Sequence, residues 1–177
     1  MNFRKITEGV DLVPVLEAIH PMAWREVTIR QEYAGSAHRD TESIFLRAPT
    51  STADIFNCLD SIELEAWQHL GVAEFLTPVL DAIGARELGR VMLVKLKAGG
   101  FIRPHTDEGA YARYFARFHV VLAGHCRFHC GAEEVAMAPG EVWWFNHQKE
   151  HEVCNGNADR IHLIFDACAP GYTGALS

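Results

Sequence analysis

The segment Ile102-Arg103-Pro104-His105-Thr106-Asp107 places an imidazole and a carboxylate two positions apart. On an extended chain, residues two apart point to the same side, so His105 and Asp107 can converge on one metal ion. A third ligand must come from elsewhere. His151, at the start of a later predicted strand, is the candidate. Two imidazoles and one carboxylate, with the remaining positions open, form the facial arrangement of non-haem Fe(II) oxygenases. Zinc is the physical competitor, because the same donors also suit it. His-x-Asp also occurs in solvated turns, and with ten histidines in the chain it needs support from other residues.

That support comes from two strands of unusual composition. In Arg160-Ile161-His162-Leu163-Ile164-Phe165, the odd-numbered side is wholly apolar, while Arg160, His162 and Ile164 share the other. In Arg117-Phe118-His119-Val120-Val121-Leu122, Phe118, Val120 and Leu122 oppose Arg117, His119 and Val121. If both faces of each strand are covered, the arginines look into an interior. A buried guanidinium without an anion costs several kcal/mol, so a bound dicarboxylate gripped by forked donors is the expectation. The alternatives are a protein carboxylate or solvent.

The elements that must position these groups follow from periodicity. Asp11–His20 and the stretch from Ala53 to about Gly84 have apolar residues at helical spacing, with Gly84 as a stop. Glu26–Tyr33 and Ser43–Arg47 alternate like strands. From Arg90 onward, short strands are expected at Val91–Lys97, Arg117–Leu122, Cys126–Cys130, Glu134–Met137, Val142–Phe145, Glu150–Cys154 and Arg160–Phe165, punctuated by glycine-rich turns. Such a run predicts a mainly β sandwich or barrel with helices packed outside it. His125-Cys126-x-x-His129-Cys130 invites a zinc reading, but on a strand its cysteines and histidines point to opposite faces, and packing is the better account. Trp143, Trp144 and Phe145 read as core.

The composition narrows the classes of function. The 177 residues, 49% hydrophobic and 22% charged, suit one globular domain. A net charge of −7, without a run of four basic residues, argues against nucleic acid or an anionic membrane as partner. No stretch reaches the length of a spanning helix, and Met1–Val13 lacks the apolar region of a secretory signal. Five cysteines, an odd count, favour reduced thiols and a cytoplasmic location over a disulfide framework.

Taken in order, His105-x-Asp107, Arg117-x-His119, His151-Glu152-Val153 and Arg160-Ile161-His162-Leu163 resemble the aspartyl/asparaginyl β-hydroxylase family of 2-oxoglutarate oxygenases, with the bacterial cis-proline hydroxylases as relatives. The resemblance covers roughly residues 90–167. It implies a double-stranded β-helix (jelly-roll, cupin-like) core over about 90–167, with a helix-containing part, 1–89, packed on one sheet. It implies Fe(II) held by His105, Asp107 and His151, with 2-oxoglutarate and O2 as co-substrates. Arg160 would bind the far carboxylate of 2-oxoglutarate, with Arg117 and His119 as further contacts. The chain ends soon after the last strand, so proline itself is not the expected substrate.

The expected reaction is hydroxylation of an amino acid, peptide or related small polar molecule, with 2-oxoglutarate decarboxylated to succinate. Related halogenases leave the carboxylate position vacant, so Asp107 points to hydroxylation. His38, Arg39, Arg47, Arg103 and Arg113 are candidate substrate contacts, and Glu108–Ala116 a candidate lid. The competing readings are a cupin-type metalloenzyme that does not use 2-oxoglutarate and a non-catalytic metal or ligand sensor.

Overall fold

The computed structural model describes every residue except 20–23, 25–28, 33–34 and 173–177. In chain order the elements are β1 (Phe3–Thr7), α1 (Val13–Ile19), α2 (Ile29–Glu32), β2 (Thr41–Pro49), β3 (Ser61–Glu63), α3 (Glu65–His69), α4 (Val72–Ala82), β4 (Glu87–Leu96) and β5 (Phe101–His105). They continue with α5 (Gly109–Tyr114), β6 (Ala116–Ala123), β7 (Cys126–Cys130), β8 (Glu133–Met137), β9 (Val142–Phe145), β10 (His151–Asn155) and β11 (Arg160–Cys168). The strands form a seven-stranded sheet, β1-β9-β6-β11-β4-β2-β3, and a four-stranded sheet, β5-β10-β7-β8. Every pairing is antiparallel. The architecture is the double-stranded β-helix, mainly β, with helices on one sheet.

The alternation in β6 and β11 determines which way the large sheet faces. Phe118, Val120, Leu122, Leu163 and Phe165 are fully buried in a core shared with Val15 of α1, Trp67 of α3 and Leu76 and Val79 of α4. The opposite face turns toward the small sheet. There Val121 packs with Phe128, Phe145 and Val153, and His119, Arg160 and His162 are buried. The two sheets thus enclose a polar-lined interior, while the helices cover the purely apolar side.

Two expectations need correction. Within Glu26–Tyr33, residues 26–28 and 33 lie outside the described residues, but Ile29–Glu32 is a helical turn and not a strand. Tertiary contacts override its alternation, since Gln31 Nε2 donates to Thr41 Oγ1 (3.2 Å) and Ser43 Oγ (3.0 Å) at the start of β2. Helical structure does not begin at Ala53 either: residues 53–57 are turns and Ser61–Glu63 is a strand, with helix only from Glu65. The Asn57 amide donates to both Asp54 carboxylate oxygens, and the Cys58 N–H to the Asp54 carbonyl, closing the chain locally.

Candidate active site

The register of β5 against β10 sets His151 directly opposite His105, with ring centroids 4.2 Å apart. Asp107 lies two residues beyond β5, and its N–H donates to the His147 carbonyl at 3.0 Å. The ligating atoms of His105, Asp107 and His151 all lie within 4.8 Å of one another, which fits a shared ion. Each histidine donates Nδ1–H to a carbonyl two residues back in the chain: His105 to Arg103 (2.7 Å) on β5, and His151 to Lys149 (2.9 Å) in the bend before β10. That tautomer leaves both Nε2 lone pairs available to a metal. Burial pushes the His151 imidazole down to about 4, so the ligating neutral form prevails at neutral pH. Burial alone would raise the Asp107 carboxyl. The Arg117 guanidinium and the neighbouring imidazoles outweigh it and hold the group well below the usual carboxylate range.

Arg117 is the support of this carboxylate. Its Nη1 donates to Asp107 Oδ2 at 2.6 Å, while Nε and Nη2 grip Asp166 at 2.8 and 3.0 Å. Asp166 sits opposite Arg117 in the β6–β11 register. Thus Arg117, expected as a co-substrate contact, spends three of its donors on protein carboxylates. Asp166 was missed, although it continues the two-residue spacing of Arg160, His162 and Ile164 on one face. Arg117→Met is expected to lower metal affinity about 10–100-fold, the usual effect of losing a partner that orients a ligand. Competitive Zn(II) titration checks this, and unchanged affinity would show that Asp107 needs no such support.

Arg160 is completely buried, at 0% exposure. None of its three side-chain nitrogens finds a hydrogen-bond acceptor among the described residues; the Cys126 thiol is its polar neighbour. It lines a small inner cavity together with His105, His151, Arg117, His119 and Phe128. His119 and His162 are also buried, and their Nδ1 atoms lie 3.1 Å apart, so one donates to the other. Both Nε2 atoms are without partners among the described residues. The chamber thus brings two of the three candidate metal ligands, His105 and His151, together with a buried guanidinium, a donor set that suits a keto acid. The inner cavity measures about 20 Å³.

An outer cavity of about 390 Å³ adjoins this chamber, and Arg30, His38, His105 and Arg117 line both. Its floor is the inward face of the large sheet, with Phe45 of β2 opposite Met92 of β4. Its roof is the loop carrying Thr52, Ile55 and Phe56, and its wall includes Tyr111 and Ala112 of α5. Gly109 opens α5 at φ +92°, and a Cβ there would collide with the Phe56 carbonyl. Roof and wall are tied together by Tyr111 N–H to the Phe56 carbonyl (3.0 Å) and Ala110 N–H to Asn57 Oδ1 (2.9 Å).

The family model for Aspartyl/Asparaginyl beta-hydroxylase matches residues 26–170. The chain belongs to this family. As an aspartyl/asparaginyl hydroxylase-family member it is a dioxygenase, working with Fe(II), 2-oxoglutarate and O2. Two solved structures share its fold. A 2OG-Fe(II) oxygenase family oxidoreductase from Burkholderia pseudomallei is 14% identical with a TM-score of 0.64, over 92% of this chain and 80% of that one. A prolyl hydroxylase from Trichoplax adhaerens, in complex with a hypoxia inducible factor oxygen degradation domain peptide fragment, is 13% identical with a TM-score of 0.59, over 99% and 87%. No curated protein matches the sequence.

In this hydroxylase the expected substrate contacts are distributed unevenly. His38 faces the cavity, its ring 4.8 Å from that of His105. Arg39, Arg103 and Arg113 are exposed and line neither cavity. Arg47 is engaged elsewhere, with Nε on the Gly89 carbonyl (3.0 Å), Nη1 on Glu63 (2.9 Å) and its guanidinium over Trp67. The stretch expected as a lid forms α5, anchored by buried Tyr111, Ala112 and Phe115, and is a wall. Arg30 and Arg90 line the outer cavity without having been anticipated. Arg30 lay hidden in the stretch read as a strand, whereas Arg90 precedes Met92 and Val94 at strand spacing and was legible on that ground.

Proposed function

We propose that this chain, as one oxygenase domain over residues 1–177, hydroxylates a C–H bond of an amino acid, peptide or related small molecule, with oxidative decarboxylation of 2-oxoglutarate to succinate. The observation carrying this reading is Arg160, a buried cation without an anion among the described residues, beside the His105–Asp107–His151 cluster. When bound, Fe(II) and 2-oxoglutarate supply the activation of O2 and the electrons that leave one oxygen atom in succinate and one in the hydroxylated product.

The protein's part is placement. His105, Asp107 and His151 would hold the iron, Arg117 keeps Asp107 ionised and aimed, and Arg160 would receive the distal carboxylate of 2-oxoglutarate. The outer cavity would present the substrate C–H to the metal and keep bulk water away from it. Its rim reaches the surface at Glu108 and Phe56, so a peptide side chain could enter as well as a free small molecule. The Trichoplax neighbour, solved with a peptide, supports keeping both. Five free cysteines favour a reducing, cytoplasmic setting, and no helix among the described residues is long and apolar enough to cross a membrane.

The test is anaerobic titration of the metal-free protein with Fe(II) and then 2-oxoglutarate, watching for the visible charge-transfer band of a chelated keto acid. A band, followed by succinate release on admitting O2, supports the reading. Iron binding without a band would leave a cupin-type metal site that does not use 2-oxoglutarate. The same titration applies to His162. If His162 donates to His119, then His119 carries its proton on Nε2 and presents a donor to the chamber. His162→Phe is then expected to weaken 2-oxoglutarate binding about 10-fold, on the order of one hydrogen bond to a charged group.

A further inference from the structure

We propose that the outer cavity binds an apolar carboxylic acid, its acid group held by Arg90 and its hydrocarbon body lying on Phe45 and Met92. The inference deepens, and rests on, the reading of the outer cavity as the substrate side. Its starting point is the charge at Arg90. The Arg90 Nη2 donates to the carbonyls of Ile55 (2.6 Å) and Cys58 (2.9 Å), and its guanidinium lies 3.7 Å from the Tyr111 ring centroid. Its Nε has no partner among the described residues. These partners are all formally neutral. The Asp166 carboxylate, whose field reaches Arg90, is already gripped at both oxygens by Arg117. A half-buried guanidinium on a cavity wall, satisfied among the described residues by carbonyls and a ring face, is matched by a carboxylate entering the cavity.

The rest of the lining selects what the carboxylate is attached to. Phe45, Met92, Pro49, Ile55 and Phe56 supply floor and roof. A small polar body would leave that apolar surface wet, whereas a hydrocarbon removes it from water. Arg117 adds no free charge, because Asp107 and Asp166 occupy it. Arg30 lies on the metal side, its Nη1 at 3.3 Å from Met92 Sδ.

Strand β4 gives the direction. Arg90, Met92 and Val94 alternate onto one face; the first two line the outer cavity and Val94 the inner one. Successive members of that row are about 6.6 Å apart. An acid fixed at Arg90 therefore sends its body inward along Met92 toward the metal position, and the carbon presented there lies a hydrocarbon's length from the acid group.

The experiment is calorimetric titration of the Zn(II)-loaded protein, without 2-oxoglutarate, with 3-phenylpropionate as probe. Saturable binding is expected, at least ten-fold tighter than for 3-phenylpropanol or L-aspartate. Arg90→Gln keeps an amide donor for the roof carbonyls but removes the charge, and should weaken the probe at least ten-fold. Met92→Glu, which sets an acid in the floor, should do the same and decides the matter if Arg90→Gln proves unstable. Arg160→Ala should leave probe affinity unchanged. No binding, equal affinity for L-aspartate, unchanged affinity in the deciding variant, or loss in Arg160→Ala would each overturn the proposal. The measurement uses neither co-substrate nor turnover, so its failure is distinct from a missing charge-transfer band.

Discussion

Arg160→Met is expected to abolish measurable 2-oxoglutarate binding and, in the same variant, to raise the stability of the ligand-free protein. Both effects follow from one fact: the guanidinium is fully buried and lacks an acceptor among the described residues. A buried charge is kept at a cost in folding energy, and replacing buried ionic groups by apolar ones of similar size stabilises by roughly 1–4 kcal/mol. With ligand present the sign reverses. Removing one partner of a buried charge pair costs about 2–5 kcal/mol of binding, roughly 30-fold to several thousand-fold in affinity. Thermal denaturation with and without 2-oxoglutarate reads both at once. The wild type should gain stability with ligand, whereas the variant should start higher and gain nothing. If the variant melts lower and its ligand response is intact, Arg160 is a structural residue and the co-substrate assignment fails with it.

The second large effect is at the metal ligands. His105→Ala and His151→Ala should each eliminate metal-dependent succinate formation to below detection, because each removes one of three donors clustered within 4.8 Å. Asp107→Ala should do so as well and still fold. Arg117 then keeps its two-pronged contact with Asp166, so the substitution does not leave its buried charge unpaired. Metal content after anaerobic reconstitution, beside circular dichroism, separates loss of the ion from loss of the fold. Wild-type succinate formation in His151→Ala would remove that residue from the centre.

Much of this arrangement was legible because strands encode their facing in every second residue. The period of two placed Arg160 and His162 opposite Leu163 and Phe165, and the structure buries both sets on opposite faces of one sheet. The same rule let His105 and Asp107 be brought together without knowing the fold. What escaped depends on contacts between distant segments. Nothing local marks Arg117 as the partner of Asp107 rather than of a ligand; that follows from Asp166 lying across the β6–β11 ladder. The roof loop looked helical by apolar spacing, yet its carbonyls are claimed by Arg90 and Tyr111 from elsewhere in the chain. Strand β1 was not anticipated either, because its place is set by pairing with β9, some 140 residues away.

The contacts of Tyr111 join features that have so far been treated apart. Its hydroxyl accepts from the Arg90 N–H (2.7 Å) and donates to Asp166 (3.1 Å), while its own N–H holds the roof loop through the Phe56 carbonyl. Asp166 holds Arg117, and Arg117 holds Asp107. An unbroken line of hydrogen bonds therefore runs from the loop over the outer cavity to the carboxylate of the metal centre. A molecule that shifts the roof as it enters must alter the energy of that line. Whatever it does to metal affinity, the metal does in equal measure to it, since linkage between two binding equilibria is reciprocal. To the extent that the roof moves, loading one site and loading the other are linked, with Tyr111 as the joint.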